Sequence, residues 1–183
     1  MTTPFPRWLP IPLLLALSAC GKPPMEEAVA TNDRGAVTKA IEEGADVNAE
    51  LSGGQTPLLL ATRNGQSSSA QALIESGADI RARDSAGNSA LHYAAQSGMT
   101  GICGMLLERG LSVNDKGESG RTPLHFAILA SRQETAKFLV RRGADLDLKD
   151  DAGVSALDVV TRGGDTRFRT DLEVAAKLRA TPP

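Results

Sequence analysis

Reactive side chains are scarce in this sequence, and each shortage removes a class of function. The two cysteines, Cys20 and Cys103, allow at most one disulfide, so no cross-linked framework holds the fold. The two histidines, His92 and His125, have no tightly spaced ligands around them, which leaves no set for a metal. Charge of one sign is missing as well: 20 Lys and Arg are interspersed with 22 Asp and Glu. Without a basic stripe the chain lacks the electrostatic footprint of a nucleic-acid binder. The longest apolar run, Trp8 to Ala19, is broken by Pro10 and Pro12 and falls short of the ~20 residues a membrane-spanning helix needs. The glycine pairs Gly53-Gly54 and Gly163-Gly164 belong to no phosphate-loop pattern. Asp145, Asp147, Asp150 and Asp151 lack the rest of a calcium-binding loop and read as solvated turn residues. No cofactor is expected, and catalysis is not.

What the chain has in abundance is repetition. Gly44, Gly77, Gly110 and Gly143 follow one another at a step of 33, with Ala-Asp after three of them and Leu111-Ser112 after the other. Gly54, Gly87, Gly120 and Gly153 keep the same step. So do Leu58, Leu91, Leu124 and Leu157, and again Leu73, Leu106, Leu139 and Leu172. A fixed period of this length is the signature of stacked supersecondary units.

Within one unit, Thr56 is a good N-cap and Pro57 suits the first helical position, where no N–H is needed. Ser89-Ala90, Thr122-Pro123 and Ser155-Ala156 fill the same slots. A short helix therefore opens at each and ends near Gly65, Gly98, Ser131 and Gly164. A second helix follows and stops at Gly77, Gly110 or Gly143, where glycine takes the left-handed C-cap. The polar stretch after it reads as a turn or hairpin. The unit is helix–turn–helix–hairpin, and the fold class is all-α.

Thr122-Pro123-Leu124-His125-Phe126-Ala127 lies close to the T-P-L-H-x-A signature, and Ser89-Ala90-Leu91-His92-Tyr93-Ala94 is a near-copy. On these residues, and on Gly77-Ala78-Asp79 and Gly143-Ala144-Asp145, the chain resembles the ankyrin-repeat family. The register gives five units, about 21–50, 51–83, 84–116, 117–149 and 150–180, with the first and last as caps and 181–183 as a tail. Phe168, Leu172 and Ala175 form the inward stripe of the last one. The resemblance implies that His92 and His125 bond neighbouring backbone and tie unit to unit. They hold one slot a unit apart, and stacked helices ~8–10 Å apart keep them from forming a dyad. Thr56 and Thr122 are read as structural caps, and Cys103 as a small core residue because its equivalents are Ala70 and Ala136. Gly101 and Gly104 fall inside the second helix of the third unit, where each costs roughly 0.5–1 kcal/mol. The middle of the array is thus the expected soft joint.

Residues 1–19 read as a signal peptide: one charge at Arg7, a short apolar run, then small residues. Leu17-Ser18-Ala19-Cys20 resembles the lipobox of bacterial lipoproteins, which implies cleavage before Cys20, acylation of its sulfur and amino group, and stable anchoring by several chains. Cys103 would then be the only thiol. Gly21 in place of Asp favours the outer membrane by the same resemblance. Residues 20–23 form a short linker, so a repeat domain over 24–180 would sit close to the lipid surface, facing the periplasm.

The resemblance also implies where a partner binds: hairpin tips, the exposed side of the first helices and the concave face. Carried over by register, the candidates are Leu51 and Gln55 on the first tip, then Arg83, Ser85 and Asn88. Lys116, Glu118 and Arg121 follow, then Asp151. On the first helices they are Arg63, Gln96, Leu129 and Ala130. Leu129 and Ala130 stand where other units are polar, and beside Leu51 they could supply the dry centre of an interface. The expected protein is a membrane-anchored interaction module, monomeric apart from an unidentified protein partner. Competing expectations are an immunity or inhibitor protein against a toxic effector or periplasmic enzyme, and a docking factor for an envelope stress-defence enzyme.

Overall fold

A computed structural model of the chain describes residues 24–51 and 53–180. The leader, Cys20, the linker to residue 23 and the tail 181–183 lie outside the described residues. The chain forms helices in pairs: α1 (Pro24–Ala30) with α2 (Arg34–Glu42), α3 (Pro57–Arg63) with α4 (Ser67–Glu75), α5 (Ala90–Ser97) with α6 (Thr100–Glu108), α7 (Pro123–Leu129) with α8 (Gln133–Arg141), and α9 (Ala156–Arg162) with α10 (Thr166–Ala180). First helices stack on first helices and second helices on second, in chain order. Among the described residues no helix is long and apolar enough to cross a membrane.

Local chemistry sets the boundaries. Thr56 accepts from the Leu59 N–H at 3.4 Å and starts α3, while Ser155 does the same for Asp158 at 3.1 Å and starts α9. Gly77 ends α4 at φ +86, and the Ala78 N–H then reaches back to the Leu73 carbonyl at 2.9 Å. Leu111 closes α6 in the same way onto Leu106 at 3.3 Å, so the loss of Ala-Asp after Gly110 does not change the cap.

The leucine series form the core. Leu58, Leu91, Leu124, Leu73, Leu106, Leu139 and Leu172 are buried, joined by Met25 and Val29 from the first unit, whereas Leu157 in the last unit is half-buried. Phe168, Leu172 and Ala175 turn inward from α10, which runs on to Ala180 and leaves Val174 and Leu178 exposed. Polar side chains stitch neighbouring units. Asn48 accepts from the Asp79 N–H at 2.8 Å, Asn114 from Asp145 at 2.9 Å, and Asn32 from Ser68 at 3.1 Å.

Candidate functional site

Two histidines anchor the hairpins to the first helices. Backbone N–H of Ser89 points at His92 Nδ1 from 3.2 Å, so that nitrogen accepts, and Nε2–H donates to the Asp115 carbonyl at 3.1 Å. His125 repeats the pattern: Thr122 N–H to Nδ1 at 3.3 Å, Nε2–H to the Val154 carbonyl at 3.2 Å. Each ring links its own helix start to the next hairpin. Burial pushes both imidazoles below their ordinary pKa, because charging them would remove a cation from water. Thr122 meets the edge of its ring, with Oγ1 at 2.9 Å from His125 Nδ1. Cys103 is wholly buried on α6, and burial raises its thiol pKa to about 12, far from a nucleophile's range.

The structure corrects three of the surface candidates. Leu51, Gln55 and Asn88 are buried. Gln55 and Asn88 stand immediately before the helix caps Thr56 and Ser89, whose backbone is extended. Asn88 accepts from the Glu118 N–H at 2.9 Å and donates to the Tyr93 hydroxyl at 3.4 Å. Leu51 instead folds back onto the core while its N–H pairs with the Gln55 carbonyl at 2.9 Å. Leu51 therefore cannot stand beside Leu129 in an interface. Arg83 is exposed but committed: it donates to Gly87 O at 2.6 Å, to Lys116 O at 3.2 Å and to the Asp115 carboxylate at 2.5 Å. Lys116 in turn donates to Lys149 O at 2.9 Å. Ser85 and Asp151 are exposed at their tips, and the Asp151 N–H pairs with Ser119 O at 2.9 Å.

The remaining candidates converge. Leu129 is 53% exposed, an unusual position for a large apolar residue at the end of α7. It overhangs a shallow hollow of about 200 Å³ lined by Gln96, Glu118, Arg121, Phe126 and Ala130, between a hairpin and the first helices. The same side chain borders a second hollow toward Val159 and Phe168, of about 340 Å³. A third, of about 300 Å³, opens from Leu129 toward Arg162. Arg121 is half-buried and pairs with Asp150 at 3.5 Å. Backbone N–H groups of Val154 and Ala152 hold the Asp150 carboxyl below its usual pKa, with Arg121 adding to them. Arg63 lies over the Tyr93 ring at 5.9 Å.

Sequence reasoning missed the floor of this groove. One register slot holds Leu60, Tyr93, Phe126 and Val159, all buried or half-buried, and of these Phe126 and Val159 line the hollows. The next exposed slot holds Arg63, Gln96, Leu129 and Arg162. The signal was present in the 33-residue step, since both rows are read by adding it to Leu60 and Arg63. The site holds no convergent reactive groups: the histidines are engaged in joints, and among the described residues no three His, Cys, Asp or Glu side chains are placed to hold a metal.

A protein-family model described as ankyrin repeats, in three copies, matches residues 25–117 and 87–150. No curated protein matches the chain.

Proposed function

The chain belongs to the ankyrin-repeat family, and on that premise we propose that it is a lipid-anchored module of the bacterial cell envelope that binds a partner protein through the groove beside Leu129. Ankyrin repeats are interaction modules and typically non-enzymatic. The observation that carries the groove is Leu129 itself: an exposed apolar side chain where three hollows meet, ringed by polar and charged residues. An apolar centre inside a polar rim is the anatomy of a binding hot spot. Stacked rigid helices lose little ordering entropy on binding, which suits a preformed surface.

The anchoring half rests on Leu17-Ser18-Ala19-Cys20. Helix α1 begins at Pro24, so only three residues separate it from the acylated cysteine. At ~3.3–3.6 Å per extended residue, the repeats stand against the lipid surface, periplasm-facing, with the outer membrane favoured by Gly21.

A photocrosslinking amino acid at position 129 tests the groove in intact cells. It should capture a discrete protein, whereas the same group at Lys137 on α8 should not. Capture from Lys137 alone would sink the groove reading. The captured protein's identity separates a scaffold from an immunity protein or a docking factor for a defence enzyme. Cys20→Ala should move the chain from the membrane to the soluble fraction, and unchanged fractionation would remove the anchor.

A further inference from the structure

We infer that the groove takes an acidic segment of its protein partner, seating one apolar side chain beside Leu129 and presenting carboxylates to Arg63 and Arg162. This deepens the groove reading and rests on it.

Two carboxylates along this face are occupied by the fold, and two guanidinium groups stand exposed on it, Arg63 and Arg162. Asp150 accepts from the Ala152 N–H at 3.0 Å and the Val154 N–H at 2.9 Å, and faces Arg121. Asp165 accepts from the Phe168 N–H at 2.8 Å and from Gln133 at 3.2 Å. Glu118 and Asp151 remain as exposed carboxylates on the hairpin rim. Against them, Arg63 lies over the face of Tyr93, and Arg162 is exposed at the end of α9, one turn after Asp158, whose carboxylate accepts from the Ser155 N–H. Arg132, at the turn side, gives one hydrogen bond to Gln96 O at 3.1 Å. The exposed row reads Arg63, Gln96, Leu129, Arg162, so cations flank the apolar centre on both sides. Complementary charge placed around a dry centre sets register and partner choice.

Spacing makes the inference specific. Neighbouring helices in such stacks lie ~8–10 Å apart. Arg162 is one unit from Leu129 and Arg63 is two units the other way. An extended segment at ~3.3 Å per residue would then carry one carboxylate about three positions from its apolar anchor and another about six positions on the opposite side. Beyond Arg63 the first unit offers exposed Glu27 next to the row, which repels an acidic chain and ends the footprint there.

A displayed library of random peptides, selected on the full chain in detergent, is the test. Peptides enriched on the wild type should be acidic around one apolar residue and should be lost on Leu129→Glu. Arg63→Glu with Arg162→Glu should weaken them by about tenfold or more and enrich basic peptides instead. The milder pair Arg63→Gln and Arg162→Gln covers any loss of folding in the reversed variant. Peptides that need Leu129 but are neutral or basic, or that survive both double variants, would overturn the inference while leaving the groove standing. Absence of any Leu129-dependent peptide would remove the groove and the inference together.

Discussion

Three hairpins of this molecule solve one problem in two ways. In the hairpin at 83–89 the slot after Arg83 is Asp84, whose carboxylate accepts from its own Ala86 N–H at 3.0 Å and Asn88 N–H at 2.9 Å, and from the Tyr93 hydroxyl. The hairpin at 149–155 does the same with Asp150, and each is closed by an antiparallel bridge, Arg83 to Ser89 and Lys149 to Ser155. In the hairpin between them the slot is Gly117. With no side chain of its own, it admits Asn88 from the preceding unit, which accepts from the Glu118 N–H at 2.9 Å. A short 3-10 turn over Glu118–Gly120 follows, with Ser119 at φ +55. All three are closed at the base by a backbone bond, Asp84 N–H to Asn88 O, Gly117 N–H to Arg121 O and Asp150 N–H to Val154 O. In the outer two a carboxylate of the loop itself holds the tip amides, and in the middle one a side chain of the preceding unit does. A hairpin tip can therefore be held locally or by its neighbour, and the neighbour-held tip adds one more bond to those that already couple the units, such as Arg121 to Asp150 and Asp151 N–H to Ser119 O.

The sharpest way to break the neighbour-held tip is Gly117→Ala. A Cβ there would lie 2.5 Å from Asn88 Oδ1 and 2.9 Å from His92 Nε2, so both must move. Overpacking of this kind should cost about 1–3 kcal/mol in urea unfolding, near the top of that range. Equal stability of variant and wild type would show that the contact is slack. Asn88→Ala should follow at about 1–2 kcal/mol, since it strands the Glu118 N–H. In hydrogen exchange it should expose residues 117–121, whereas Asp84→Ala should expose its own hairpin and leave 117–121 protected.

Acid should loosen both histidine joints together. His92 and His125 have folded pKa values below the ordinary 6.5, so the unfolded chain binds protons first. Stability is complete above 6.5 and falls as pH drops from there toward the folded values. A second loss begins below 3.8, where Asp84 must be protonated; burial raises its carboxyl, but bonds from Tyr93, Asn88 and Ala86 together outweigh that and hold it low. Replacing one histidine with Gln should flatten the first decline in urea titrations across that range, and an unaltered slope would refute it.

Gly101→Ala should give the smallest change, a gain of about 0.5–1 kcal/mol, because the added methyl meets nothing within 4 Å on α6. Gly104→Ala should gain less, since its Cβ would touch Phe138 at 3.4 Å. If both alanines were neutral, helix propensity would not explain the expected softness of the third unit. Proton exchange can then ask which matters more there, two glycines in α6 or the brace on the hairpin behind it.

The caps, the helix pairs, most of the core leucines and the exposure of Leu129 were all legible in the 33-residue step. A period reports which slot a residue occupies, and it places that slot on a known face wherever the backbone is helical. It is silent on the hairpins, where one extended residue can turn either way. Leu51, Gln55 and Asn88 were misjudged there because their burial depends on the neighbouring unit, which no local pattern contains. Arg83 is a tip candidate by register for the same reason, since its acceptors Asp115 and Lys116 lie in the next hairpin.

The pairing of Asn88 with Gly117 also bears on how the chain avoids assembling wrongly. Units of equal length and similar sequence invite misfolding by slippage, in which one unit stacks on a neighbour's neighbour. If residue 88 met the Asp150 hairpin instead, its carboxamide would find a carboxylate already bonded to that loop's own amides. Of these two loops it is the Gly117 one that has the space and the N–H that Asn88 takes. A missing side chain thus serves as an address, giving otherwise interchangeable units a fixed order.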